Sequence, residues 1–268
     1  MKIVFANYLA APFVFTALGI LYYAWEHTGD GAIWILPCVL IAAFIWVLSP
    51  QINWWWYSKR PPALETGIVQ ALERFSPFYS TLPPADQQRF RDRLALTRMA
   101  TDWTSKDLPD DEIPPDLETA IAVSSVIVTW NKEQYLFPEF EKVVISPSAF
   151  LSPELPFRHN SETYPPEQCL LFSAKAVIAG FTQPAAFFNV ALYEYAKIFL
   201  MRYPGPVAAD ETDIWEKIAV ISGWNREKIE TDIGVAGIDV LPVALCFYHT
   251  HRPAFKAHLP ELAAAFEA

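Results

Sequence analysis

Two apolar runs near the start of the chain constrain its fold more than anything that follows. Phe5–Trp25 is about 21 residues without a formal charge, and Ala32–Leu48 is about 17. Roughly 17–25 apolar residues cross a hydrocarbon core as a helix, which satisfies every backbone polar group from within its own segment. Between the runs lies only Glu26-His27-Thr28-Gly29-Asp30-Gly31, short, acidic and glycine-rich. The pattern predicts a transmembrane hairpin in residues 1–60, with helices at about 5–25 and 32–49. A cleaved signal peptide would have a shorter apolar region and a small-residue cleavage site. Tyr22-Tyr23-Ala24-Trp25-Glu26 offers neither. The second run leads into Asn53-Trp54-Trp55-Trp56-Tyr57 and then Lys59-Arg60, an aromatic belt backed by basic residues.

Lys2, Lys59 and Arg60 lie on one side of the hairpin, and the connecting loop has no basic residue. The positive-inside rule then puts both termini and the main domain in the cytoplasm, at the inner membrane of a bacterium. Residues 1–62 hold three basic and two acidic side chains, so residues 63–268 carry −11 of a net charge of −10 for the whole chain. Phosphate backbones repel so acidic a surface, which argues against a nucleic-acid partner. The three cysteines, Cys38, Cys169 and Cys246, are widely spaced and form no C-x-x-C pair, as suits a reducing compartment.

Past Pro61-Pro62 the chain reads as one helix-rich α+β domain, residues 61–268. A helix restarts near Glu65, with Ile68, Ala71, Leu72 and Phe75 at helical spacing. Pro83-Pro84 opens another, on which Arg89, Arg91, Asp92 and Arg93 read as a solvated face. Asp107–Pro115 is an acidic loop. Leu117–Trp130 is too short to span a membrane and reads as a buried core helix. Lys142–Ser146 and Cys169–Ser173 read as strands, and Phe157–Gln168 as an extended edge or a loop. A long helix from about Ala185 to Tyr203 follows, then one through Trp215 and Ile221 and another from Asn225. Val240–Tyr248 is apolar, with Pro242 leaving its type open, and His258–Glu267 closes the chain as a helix.

The chemistry is concentrated in Asn189-Val190-Ala191-Leu192-Tyr193-Glu194-Tyr195-Ala196-Lys197-Ile198-Phe199. Tyr193 and Lys197 are four apart, so they share one helical face, with the acid Glu194 between them. A zinc peptidase helix of the H-E-x-x-H type uses that spacing, because two imidazoles one turn apart reach the same metal and the glutamate serves as general base. Here the acid and the spacing remain and both imidazoles are replaced.

Several segments in order give this pattern a family context. Leu82-Pro83-Pro84-Ala85-Asp86 and Leu117–Ala122 are followed by Tyr135-Leu136-Phe137-Pro138-Glu139-Phe140 and then Val143–Phe150. Leu170-Leu171-Phe172-Ser173, Ala179-Gly180 and Asn189–Leu192 come next, and Phe247-Tyr248, Arg252-Pro253 and Pro260-Glu261-Leu262 close the series. In this order they resemble the Mlc titration factor A family, glucose-regulated zinc metallopeptidases of zincin-like fold, over roughly residues 80–266. The resemblance implies that Tyr193 and Lys197 stand where the family has zinc-binding histidines, and Glu194 where it has the general base. Counting back from Arg252-Pro253 puts the third ligand position at Val240, or at Asp239 with a slip of one. A protonated lysine amine and a protonated phenol are poor zinc ligands, so no cofactor is expected.

Loss of a dication leaves a buried carboxylate that needs another positive charge, and Lys197 can supply it as a Glu194–Lys197 pair. The expected function is that of a membrane-anchored, catalytically inactive relative of these peptidases, a protein-binding or regulatory subunit. Its partners are the lipid bilayer and an unidentified protein or peptide. In zincin-like folds extended substrate pairs with an edge strand, and Val143–Ser146 or Phe157–Ser161 could supply that edge. The alternatives are an active zinc peptidase with unusual ligands, such as Cys246, His249 and His251, and a structural subunit of a membrane complex.

Overall fold

The computed structural model describes residues 5–27, 29, 31–107, 112–204 and 211–267. The chain divides into two compact units, Met1–Pro62 and Ala63–Ala268.

In the first unit, α1 (Phe5–Glu26) packs against α2 (Ile35–Val47), which a short 3-10 turn, Ala32–Trp34, introduces. α1 is long and apolar enough to cross a membrane, and most of its side chains are exposed. The second apolar run is not one helix over 32–49. It ends at Val47, and α3 (Ser49–Lys59) departs from the Ala32–Val47 segment at 62°. Pro50 accounts for the break: it lacks an N–H and fits most readily in the first turn of a helix, where it sits in α3. Trp54-Trp55-Trp56 therefore lie on that third helix, with Lys59 Nζ 4.6 Å from the Trp55 ring centroid and the Arg60 guanidinium 4.5 Å from that of Trp56. Asn53 is fully buried, and its Oδ1 accepts the Ala6 N–H at 3.0 Å, tying α3 to the first turn of α1.

The second unit is a helix-rich α+β domain. It opens with α4 (Thr66–Phe75), α5 (Pro77–Ser80) and α6 (Pro84–Ala100), and β1 (Asp102–Ser105) follows. Next come α7 (Pro115–Val128), β2 (Lys142–Ser146), β3 (Ser161–Tyr164), β4 (Cys169–Ser173) and α8 (Ala174–Thr182). The remainder is helical: α9 (Val190–Arg202), α10 (Glu211–Ser222), α11 (Arg226–Ile233), α12 (Val240–Thr250), α13 (Arg252–His258) and α14 (Pro260–Glu267). Part of the Asp107–Pro115 loop lies outside the described residues.

The sheet order is β1-β2-β4-β3, with β1, β2 and β4 parallel and β3 antiparallel to β4. Val143–Ser146 therefore cannot serve as a docking edge, because β2 is paired on both sides. The edges are β1 and β3, and only Ser161 of the expected Phe157–Ser161 segment belongs to β3. Asn160 N–H is already spent on Ile233 O at 2.7 Å. Gly234, at φ +85°, closes α11 so tightly against this segment that a Cβ there would lie 2.8 Å from His159 Cα.

The core is built from α7, α9 and α12, whose middle residues are almost entirely buried. Ile121, Ala122, Ala191, Ala196, Val243 and Ala244 are each at 0% exposure. α9 starts at Val190 rather than Ala185, because Asn189 caps it by accepting Leu192 N–H at 3.0 Å. Gly180 lets that start approach α8, since a Cβ there would meet Phe188 O at 2.6 Å. Pro242 falls in the first turn of α12, behind the capping Asp239, so the apolar Val240–Tyr248 run is helical. Arg93 is not on a solvated face. It is 8% exposed and donates to Thr129 O, Trp130 O and Lys132 O at 3.2, 3.0 and 2.8 Å, satisfying carbonyls just past the end of α7.

Candidate functional site

The Asn189 cap fixes the phase of α9 so that Glu194 points at β3 from inside the protein, at 1% exposure. Side chains alternate along a strand, so Ser161 and Thr163 reach the same face. Ser161 Oγ donates to Glu194 Oε1 at 2.8 Å, and Thr163 Oγ1 donates to Oε2 at 2.6 Å. Lys197 Nζ donates to the same Oε2 at 2.9 Å from one turn along the helix. A buried carboxylate is costly unless it is paired and hydrogen-bonded. This one has three charge-assisted donors, and its counterion retains 28% side-chain exposure at the edge of the site.

Tyr193 completes that helical face. It is buried, and Lys197 Nζ lies 5.6 Å from its ring centroid. Burial first, and then the Glu194 charge, push its phenol far above the ordinary value, so it stays protonated. Cys246, on α12, also feels Glu194: burial and then that carboxylate push its thiol well up. Val240 sits six residues earlier, in the first turn of α12, and Asp239 is spent on the helix cap. Of the α12 residues, Cys246 is thus the one with a donor atom under the influence of Glu194.

These residues do not fit a zinc ion. Zinc takes a thiolate, a neutral nitrogen or a free carboxylate, yet the amine donates to Glu194, Glu194 is itself engaged by Ser161, Thr163 and Lys197, Asp239 caps α12, the phenol and thiol are held protonated, and Val240 has no donor. His249 and His251 do not help. His249 packs edge-on against Phe78 and Tyr248, and burial followed by the Arg252 charge pushes its imidazole down to about 3. His251 Nδ1 is 2.9 Å from Thr250 Oγ1. Among the described residues, no group of three His, Cys, Asp or Glu side chains is gathered as a metal would need.

The opposite face of β3 carries a second buried polar pair. Glu162 Oε2 is 3.0 Å from His159 Nε2, and His159 Nδ1 faces Phe157 O at 2.9 Å. The edge strand is therefore anchored by a polar group on each face.

Thr163 was not among the residues that the sequence singles out, Ser161 was named only as part of a possible edge, and Cys246 only as a possible ligand beside His249 and His251. The available signal was indirect: a buried Glu194 demands donors, and Ser161 and Thr163 form a small alternating pair in a strand-length segment. No family model matches the chain, and none of the curated proteins matches it in sequence.

Proposed function

We propose that this protein is a metal-free relative of the Mlc titration factor A peptidases, zincin-like in its second unit. On this proposal it is a protein- or peptide-binding, regulatory subunit without catalytic activity. The observation that carries the proposal is the 2.9 Å contact between Lys197 Nζ and Glu194 Oε2. It puts an ammonium one turn along the helix from Tyr193, where a peptidase of this type needs imidazole and metal, and it ties up the group that would act as general base. Without an activated water there is no nucleophile. What remains useful is the edge strand β3, which can accept an extended segment by β-pairing.

The first unit anchors this domain to the cytoplasmic face of a bacterial inner membrane, by two spans. The apolar length of α1 supports the anchor. The basic residues Lys2, Lys59 and Arg60 support the orientation.

The test has two parts on the full chain in its membrane. The purified protein is assayed for hydrolysis of an unfolded protein substrate with and without a chelator, and a photoreactive residue is placed at Tyr164, at the end of β3. No hydrolysis and a discrete crosslinked product are expected. Chelator-sensitive hydrolysis would establish the active peptidase instead. Crosslinks obtained from α1 and none from Tyr164 would make the protein a structural subunit held by its membrane unit.

A further inference from the structure

A cavity that does not include the Glu194 cluster lies against the same helix core. It encloses about 290 Å³ and is walled by the α4–α5 junction, α7, α8 and the ends of α9 and α12. Its floor is apolar, formed by Val123, Ile127, Phe181 and Leu192, and its mouth is at the exposed Pro184 and Ala185. Glu194 is two residues beyond Leu192 on α9, so the two side chains leave the helix on different faces. The volume is at the small end of what encloses a small molecule, and no lysine, arginine or carboxylate lines it.

Four polar side chains line this cavity, and two of them are engaged as helix caps: Ser76 Oγ accepts Tyr79 N–H at 3.4 Å and Asn189 Oδ1 accepts Leu192 N–H at 3.0 Å. Thr250 Oγ1 donates its proton to Cys246 O at 3.0 Å. Its contact with His251 Nδ1 at 2.9 Å therefore requires Nδ1 to be the donor. Burial lowers the His251 imidazole, so the ring is neutral at pH 7 and its Nε2 carries a lone pair. His251 and Thr250 both line the cavity. The pocket thus combines an apolar chamber with a neutral hydrogen-bond acceptor, where the C-terminal end of α12 meets the N-terminal end of α9.

We infer that this cavity is a binding site for a small, neutral, apolar molecule bearing one hydroxyl donor, such as an aromatic alcohol of about ten heavy atoms. An anion is disfavoured by the absence of a lysine or arginine in the lining. The site is independent of the Glu194 cluster and does not rest on the proposed loss of metal.

The experiment uses the full chain in phospholipid nanodiscs with labelled Ile, Leu and Val methyl groups. Three probes of matched size are titrated: 2-naphthol, 2-methylnaphthalene and 2-naphthoate. Saturable shifts of the Val123, Ile127 and Leu192 methyls are expected with 2-naphthol, weaker binding with 2-methylnaphthalene, and none with 2-naphthoate. His251→Phe should weaken 2-naphthol about fivefold to tenfold, the worth of one hydrogen bond, and leave 2-methylnaphthalene unchanged. Ala185→Trp, at the exposed mouth, should abolish the shifts without disturbing the core. Absence of shifts up to the solubility of 2-naphthol would overturn the inference, as would equal binding of 2-naphthoate or shifts that persist in Ala185→Trp.

Discussion

Lys197 Nζ and Glu194 Oε2 lie 2.9 Å apart on one turn of α9, the carboxylate at 1% exposure and the ammonium reaching it from the rim. The pair neutralises a charge that the core could not otherwise hold. Lys197→Met removes the ammonium and leaves Glu194 buried. Breaking a buried pair in this way costs roughly 3 kcal/mol, whereas replacing both members by apolar residues is close to neutral. Chemical denaturation should show a large loss in Lys197→Met and recovery of most of it in the double variant with Glu194→Leu. A single variant as stable as the wild type would mean that the pair does not carry this charge.

Ser161 and Thr163 donate to the same carboxylate from β3. Hydrogen bonds to a buried charge are worth about 1.5–3 kcal/mol each. Thr163→Val and Ser161→Ala should each destabilise by about that much. Together they should cost other than the sum, because they share one acceptor group. Strictly additive losses in a double-mutant cycle would separate the two hydroxyls.

Arg93 is held by three backbone carbonyls and lies 5.6 Å from the Trp130 ring centroid and 4.7 Å from that of Tyr135. Arg93→Met should cost about 3 kcal/mol, because the orphaned carbonyls are buried with no replacement donor. Amide exchange should accelerate at the C-terminal end of α7 before it does in α9. Uniform acceleration would place the role of Arg93 elsewhere.

His249 sets a pH dependence whose sign follows from its environment. Burial and Arg252 hold it neutral down to about 3, while in the unfolded chain it takes up a proton near the ordinary imidazole value of 6.5. The unfolded state therefore binds more protons in that window, and stability falls as the pH is lowered from about 6.5 toward 3. His251, also lowered, acts in the same direction. The shifted carboxylates Glu139, Glu230 and Glu267 add their effect only at lower pH. Between pH 7 and 5 the stability of His249→Phe should fall less steeply than that of the wild type. An identical slope would exclude His249 as the source.

Much of this architecture was legible in the chain because it is written in short-range patterns. β2 and β4 are β-branched or apolar runs between breakers. α4, α6, α7 and α10 announce themselves by prolines at their starts or by helical spacing. β1, Asp102–Ser105, was not legible, since four mostly polar residues acquire strand character only by pairing with β2. Nor was α13, which His251 and Pro253 set off from α12 by a single non-helical residue.

At the candidate site, the spacing of Tyr193, Glu194 and Lys197 foretold the ion pair. The donors Ser161 and Thr163 lie more than 30 residues away in sequence, and only the sheet brings them to Glu194. The placement of Cys246 near Glu194, rather than with His249 and His251, was hidden for a related reason. Counting back from Arg252-Pro253 points to Val240, while the α12 residue under the influence of Glu194 is fixed by helix packing.

The central claim is that Lys197 has taken the place of a metal, and the zinc content of the full chain, purified in detergent and analysed by elemental spectrometry, tests it most directly. The account predicts no stoichiometric zinc in a folded, monodisperse sample. It further predicts that Tyr193→His with Lys197→His, which introduces two imidazoles one turn apart near Cys246, raises the content toward one zinc per chain. About one zinc per wild-type chain would contradict the account and restore the peptidase.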